Sequence, residues 1–162
     1  IMLPRWETPE HTEGYEGFNH LNDMNGGVNE TNMNYIIRNH DFNLFEQQKS
    51  DFVNAKNYLN NKYGYQVVEL EIVDSYRNMK ELILPHQEIL DYPIQALKSF
   101  NLQPVMEPIR GGTDGARLSY EGVLCPNLGT GSYNHHGPME IADITDMTKI
   151  VEIITHMLSI IK

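Results

Sequence analysis

Between Ile109 and Glu140 the chain concentrates residues whose types suit chemistry. An Arg-Gly-Gly-Thr-Asp-Gly run spans Arg110 to Gly115, and a second glycine-rich segment delivers adjacent imidazoles at His135 and His136. Gly111, Gly112 and Gly115 admit backbone conformations closed to other residues and let a ligand approach the main chain. Thr113 or Asp114 can cap a short helix beginning with Ala116, Arg117 and Leu118, whose free N–H groups would form an anion site. An imidazole can act as a metal ligand or carry a proton near neutral pH. Together these residues predict one wall of an active site. Taken alone, a histidine pair in a loop is more often a polar surface feature than a ligand. Cys125, the single cysteine, reads as a small buried hydrophobe; it excludes an internal disulfide framework and suits a reducing cytosol.

Several elements must hold that wall in place. Val105 to Ile109 reads as a buried strand feeding the Gly-Gly turn, and Val123 to Leu128 as another, with Pro126 at its end or on an edge. Ile89, Leu90, Ile94, Leu97 and Phe100 predict a helix from about Pro85 to Phe100, kinked or broken at Pro93. Met147, Ile150, Val151, Ile154, Met157, Leu158 and Ile161 share one face of a final helix, capped by Thr145 and introduced by Asp143.

Upstream, residues 1 to 14 read as an extended connection in which Trp6 packs. Tyr15 to Leu21 reads as a strand, Asn25-Gly26-Gly27 as a turn with positive φ, and Asn32 to Asn39 as a second strand. Met33, Tyr35 and Ile37 would face a covering helix, leaving Arg38 on the accessible side. Asp41 or Asn43 caps that helix, Glu46 suggests a capping box, Phe45, Phe52 and Leu59 form its apolar stripe, and Gly64 stops it. Gln66 to Val73 alternates as a third strand. The order strand, strand, helix, strand predicts a small α+β sandwich.

Composition narrows the function. The 162 residues are 40% hydrophobic and 21% charged, enough to bury a core. A net charge of −10 argues against nucleic acid and anionic membranes and would attract the ammonium end of a peptide. No apolar run is long enough to cross a bilayer, and no signal-peptide pattern opens the chain. The first residue, Ile1 rather than Met, suggests a piece of a longer polypeptide.

Six stretches together resemble the peptidase T family of co-catalytic zinc exopeptidases, relatives of carnosinases and aminoacylases. They are Thr12-Glu-Gly-Tyr-Glu-Gly-Phe18, Tyr35-Ile-Ile-Arg38, Asp74-Ser-Tyr-Arg-Asn-Met-Lys-Glu81, Pro108-Ile-Arg-Gly-Gly-Thr-Asp-Gly-Ala116, Cys125-Pro-Asn-Leu128 and Tyr133-Asn-His-His-Gly137. They fall in family order across essentially the whole chain, without the family's N-terminal half. The resemblance implies a partial ferredoxin-like lid (β-β-α-β) over residues 1–78, lacking its opening strand and helix. Residues 79–162 would be the C-terminal half of an α/β catalytic domain.

It also implies roles. His136 aligns with a histidine that ligates one of two zinc ions, and His135, at an aromatic position of the motif, flanks the site. Arg38 resembles a lid arginine that binds the peptide or carboxylate end of the substrate, for which a planar guanidinium is suited. Its plainer alternative is an ion pair with Asp41 or Glu30. Gly111, Gly112, Thr113 and Asp114 resemble the loop lining the substrate pocket, and a tight turn with a cap is compatible with that role. Arg110 and Asn78 would support the cleft from behind. The other ligands and the glutamate base belong to the absent half, so no catalytic residue is expected here. Glu140 and Asp143 receive no role, and His11, His20, His40, His86 and His156 are expected to be structural or on the surface.

The implied parent is a cytoplasmic dizinc aminopeptidase acting on tripeptides, the segment itself being inactive alone. A related dipeptidase or deacylase, or a silent interaction module, is the alternative. Implied partners are a small peptide, the absent half of the enzyme, and a second copy through the lid.

Overall fold

The computed structural model describes residues 2–75 and 77–161. Tyr76, inside the 74–81 stretch, lies outside the described residues, as do Ile1 and Lys162. The described chain divides into two compact units, residues 2–75 with 107–111 and residues 77–106 with 112–161. Both helices and strands are present, so the fold is mixed α and β.

In the first unit, β1 (Phe18–Gly26) and β2 (Thr31–Arg38) form an antiparallel hairpin. Phe18 pairs with Arg38 and Gly26 with Thr31, and the register shifts between Leu21 and Asp23. The first strand therefore begins later than Tyr15 and continues into the expected turn. Neither Gly26 nor Gly27 takes a positive φ. Gly26 is needed instead for close approach, because a Cβ there would lie 2.4 Å from the Glu30 carbonyl oxygen.

Helix α1 (Phe42–Tyr63) starts at Asp41, whose carboxylate accepts from the Leu44 N–H at 3.0 Å. Asn43 is not the cap, and Glu46 accepts from Lys49 Nζ at 2.8 Å rather than closing a capping box. Gly64 ends the helix at φ 76, the left-handed stop expected of it. Phe52 is the apolar centre of the unit and meets the Tyr35 ring edge-on at 5.1 Å.

The third strand does not form. Residues 66–73 form no strand ladder, and a side chain holds their start. Asn60 Oδ1 accepts from the N–H groups of Val67 (2.9 Å) and Val68 (2.8 Å), and Asn60 Nδ2 donates to the Val68 carbonyl at 3.0 Å. Alternation in sequence gives a segment two faces, but a ladder needs a neighbouring strand. Among the described residues none lies beside this one.

In the second unit, a one-turn α2 (Lys80–Ile83) precedes α3 (Glu88–Ser99), which fills most of the helix expected from about Pro85 to Phe100. Helix α3 is not broken at Pro93 but runs on through it. Proline there forfeits the bond to the Ile89 carbonyl but sits early enough for the helix to survive. Helix α4 (Asp114–Tyr120) is followed by a short hairpin of β3 (Ser132–Tyr133) and β4 (Ile141–Ala142). Helix α5 (Ile144–Ile160) packs on α3, with Ala96 and Ile153 buried between them. A residue as small as Ala96 lets two helices approach closely. Asp143 rather than Thr145 caps α5, accepting from the N–H groups of Thr145 (2.8 Å) and Asp146 (3.1 Å).

The strands expected at 105–109 and 123–128 do not form either, and Val105 is 72% and Val123 60% exposed. Met106, Ile109 and Leu128 on the same segments are exposed as well. Apolar segments are thus left uncovered. No helix among the described residues is long and apolar enough to cross a membrane.

Candidate functional site

The histidine pair sits at the tip of the β3–β4 hairpin. Gly131 begins this hairpin at φ 77, and a Cβ there would lie 2.6 Å from the Met147 nitrogen, so glycine lets the backbone rest on the first turn of α5. The Asp143 N–H donates to the Gly131 carbonyl at 2.9 Å. The Tyr133 hydroxyl donates to Asp146, which pushes the phenol pKa up; the charges of Asp146 and Asp143 and partial burial act in the same direction. Both strands are therefore anchored to α5. Inside the turn, the Gly137 N–H donates to the Asn134 carbonyl (3.1 Å) and Asn134 Nδ2 to the Met139 carbonyl (3.1 Å).

Asn134 and His136 both adopt left-handed backbone, at φ 56 and φ 63. Asparagine tolerates that region; a histidine held there stores about 1 kcal/mol of strain, a feature that concentrates at functional sites. His136 is exposed, and His135 Nδ1 lies 3.7 Å from Glu140 Oε1. Among the described residues no three His, Cys, Asp or Glu side chains gather where they could hold a metal ion. A catalytic zinc takes about three protein ligands plus water, so His136 does not hold one by itself.

The Arg-Gly-Gly-Thr-Asp-Gly run crosses from one unit to the other: Arg110 and Gly111 belong to the first, Gly112 onward to the second. Gly111, Gly112 and Asp114 are exposed, and Thr113 is half-buried. Of the two possible caps Thr113 acts, its hydroxyl accepting from the Ala116 N–H at 3.2 Å and from Asn127 Nδ2 at 3.3 Å. The hydroxyl thereby occupies one of the donors expected to greet an anion. Gly111 has an ordinary φ and open space around it, so its conformation does not demand glycine. Gly115 does demand it. A Cβ there would lie 2.4 Å from the Cys125 carbonyl oxygen. Ser119 Oγ completes the fastening by donating to the Gly115 carbonyl (2.7 Å) and accepting from the Cys125 N–H (3.0 Å). Cys125 itself is half-buried. Ser119 had no signal in the sequence beyond its nearness to the glycine run, whereas Asn127 falls within the Cys125–Leu128 stretch. Asn78 is exposed and joins the same unit, its carbonyl accepting from the Tyr120 hydroxyl at 3.0 Å.

In the first unit Arg38 ends β2 and is half-buried opposite Phe18. Asp41 caps α1, and Glu30 accepts from Asn32 Nδ2 at 3.2 Å. Arg110 is fastened more firmly than its supporting role required. It donates to the Thr12 carbonyl, the Thr12 hydroxyl and, at 3.4 Å, the Glu16 carbonyl. Its guanidinium also lies 4.9 Å from the Phe18 ring centroid. Phe18 thus neighbours both arginines, and the 12–18 and 108–111 stretches meet. Four of the five other histidines have local contacts: His11 bonds Thr8 at 2.8 Å, His86 lies 3.3 Å from Glu88, and His40 and His156 pack edge-on against Tyr15 and Phe100.

No family model matches the chain. Curated relatives do. Peptidase T of Macrococcus caseolyticus is 48% identical over 149 residues, covering 92% of this chain and 37% of its own length. Peptidase T of Caldanaerobacter subterraneus subsp. tengcongensis is 48% identical over 159 residues, covering 98% of this chain and 39% of its own. The chain belongs to the peptidase T family. It spans 37–39% of the length of these peptidase T relatives. Peptidase T of Clostridium novyi, 47% identical over 159 residues, is matched to the same extent, 98% of this chain and 39% of its own length.

Proposed function

We propose that this chain is part of a cytoplasmic aminopeptidase that releases the N-terminal residue from tripeptides, with two zinc ions supplied with most of their ligands from outside these residues. What carries the reading is the 47–48% identity to proteins named Peptidase T over 92–98% of the chain. His136 supports it by its exposed place on a strained turn anchored to α5.

On this reading the first 78 residues are most of a lid, and residues 79–162 are the C-terminal half of a catalytic domain. A zinc pair would supply an activated water and polarise the peptide carbonyl. The chain's own residues bind and orient. His136 contributes one imidazole, with His135 beside it held towards Glu140. The Gly111–Asp114 loop offers exposed main chain to the peptide, stiffened from behind by Thr113, Ser119 and Gly115. Arg38 takes the substrate carboxylate through a two-pronged hydrogen bond, and Arg110 holds the segment around Phe18 against which Arg38 lies.

Substrate selectivity tests the reading. The intact enzyme should cleave tripeptides in preference to dipeptides and acylated amino acids; preference for either of the latter would favour the dipeptidase or deacylase alternatives. Arg38→Lys should raise KM for a free tripeptide by about tenfold, consistent with loss of a charge-assisted bond. The C-terminal amide of the same peptide should lose much less. Equal losses on both would remove Arg38 from the carboxylate-binding role.

A further inference from the structure

We infer that Gln48 is a positioning residue for Arg38, acting through a directed chain of side-chain amides between α1 and the β1–β2 hairpin. The inference rests on the reading of Arg38 as the substrate-carboxylate ligand.

Gln48 and Asn19 are among the most buried polar residues described, 7% and 6% exposed. A buried amide is costly unless both its ends are partnered, and here each one is. Asn39 Oδ1 accepts from the Asp41 N–H at 3.0 Å, and Asn39 Nδ2 donates to Gln48 Oε1 at 2.9 Å. Gln48 Nε2 donates to Asn19 Oδ1 at 3.2 Å, and Asn19 Nδ2 donates to Glu7 Oε2 at 3.3 Å. The two ends of the chain agree on its direction. The Asp41 N–H can only donate, which fixes the oxygen of Asn39; the Glu7 carboxylate accepts, which fixes the nitrogen of Asn19. With both ends set, Gln48 has a single orientation that satisfies its neighbours.

The network converges on the residue that follows Arg38. A Cβ on Gly17 would lie 2.1 Å from Asn39 Nδ2 and 2.8 Å from the Arg38 carbonyl oxygen, so Asn39 is wedged against bare backbone. Asn19 pairs with Ile37 across the hairpin, on the other flank of Arg38. Gln48 therefore ties together the chain on both sides of Arg38. A fully satisfied polar network specifies one arrangement more sharply than apolar packing, and a two-pronged guanidinium–carboxylate contact needs that sharpness.

The test uses the intact enzyme with free tripeptide and its C-terminal amide. Gln48→Leu should raise KM for the free tripeptide by about tenfold, the low end for losing an outer supporting partner. kcat should hold within about twofold, and the amide should change little. Gln48→Glu, which keeps the acceptor for Asn39 and loses the donor to Asn19, should fall between and retains the fold if leucine does not. Gln47→Leu, an exposed neighbour bonded to Asp51 at 3.0 Å, should leave KM unchanged. In an Arg38→Lys background the Gln48 substitutions should add less than about twofold, since coupled residues are non-additive. Multiplicative effects in the double variants, or equal losses on free peptide and amide, would overturn the positioning role while leaving Arg38 in place. Loss of discrimination by neither Arg38→Lys nor Gln48→Leu would overturn both readings together.

Discussion

Alanine at His136 is expected to remove one metal ion from the intact enzyme and to lower kcat/KM for tripeptides by more than about 100-fold, the ceiling for loss of a mere outer-shell partner. An open catalytic site that loses a ligand loses its geometry along with the charge that activates water. The backbone supplies an internal control. His136 sits at φ 63, in the left-handed region that asparagine, whose short side chain bonds the local backbone, enters more readily than most residues. His136→Asn should therefore match or exceed the parent in denaturation midpoint, by up to about 1 kcal/mol, while losing activity as alanine does. A residue kept for structure would show the reverse. Metal analysis beside a urea titration of the two variants checks both halves of the expectation.

Gly115→Ala is expected to have the largest effect on stability, on the order of 3 kcal/mol for overpacking against an unyielding neighbour. The new methyl would meet the Cys125 carbonyl oxygen at 2.4 Å and Asn127 Oδ1 at 3.1 Å. Neither the α4 backbone nor residue 125 can retreat freely, because Ser119 Oγ bonds both the Gly115 carbonyl and the Cys125 N–H. Gly129→Ala, with nothing within 4 Å and no positive φ, should stay within about 0.5 kcal/mol of the parent. The urea midpoints of the two variants, measured in the intact enzyme, give the comparison directly.

Local physics was legible in the sequence and non-local pairing was not. The Gly64 stop and the Asp41 cap depend on a few adjacent residues, and both are observed. Asp143 and Thr145 both stood near the start of α5; Asp143 lies just before the first turn, where its carboxylate accepts from two N–H groups, and Thr145 is already inside the helix. The segments at 66–73, 105–109 and 123–128 carry the composition of strands, yet a strand exists only beside another. Their partners are not among the described residues, so alternation overcalled them. Pro93 does not break α3: it removes one hydrogen bond of a twelve-residue helix that runs on through it. At the candidate site, His136 and the glycine run stood out by type and spacing. The amide chain through Gln48 was invisible, because asparagine and glutamine carry no local signal of burial.

The uncovered surface and the single imidazole lead to one decisive measurement. The purified 162-residue chain is assayed for tripeptide cleavage and zinc binding, alone and after co-expression with the N-terminal remainder of a peptidase T relative. Alone it should release no amino acid, bind zinc weakly and self-associate through exposed apolar segments and unpaired extended edges. With the remainder present, N-terminal residues should be released from tripeptides and zinc retained through purification. A soluble monomer of this chain that holds two zinc ions tightly and cleaves tripeptides unaided would contradict the account.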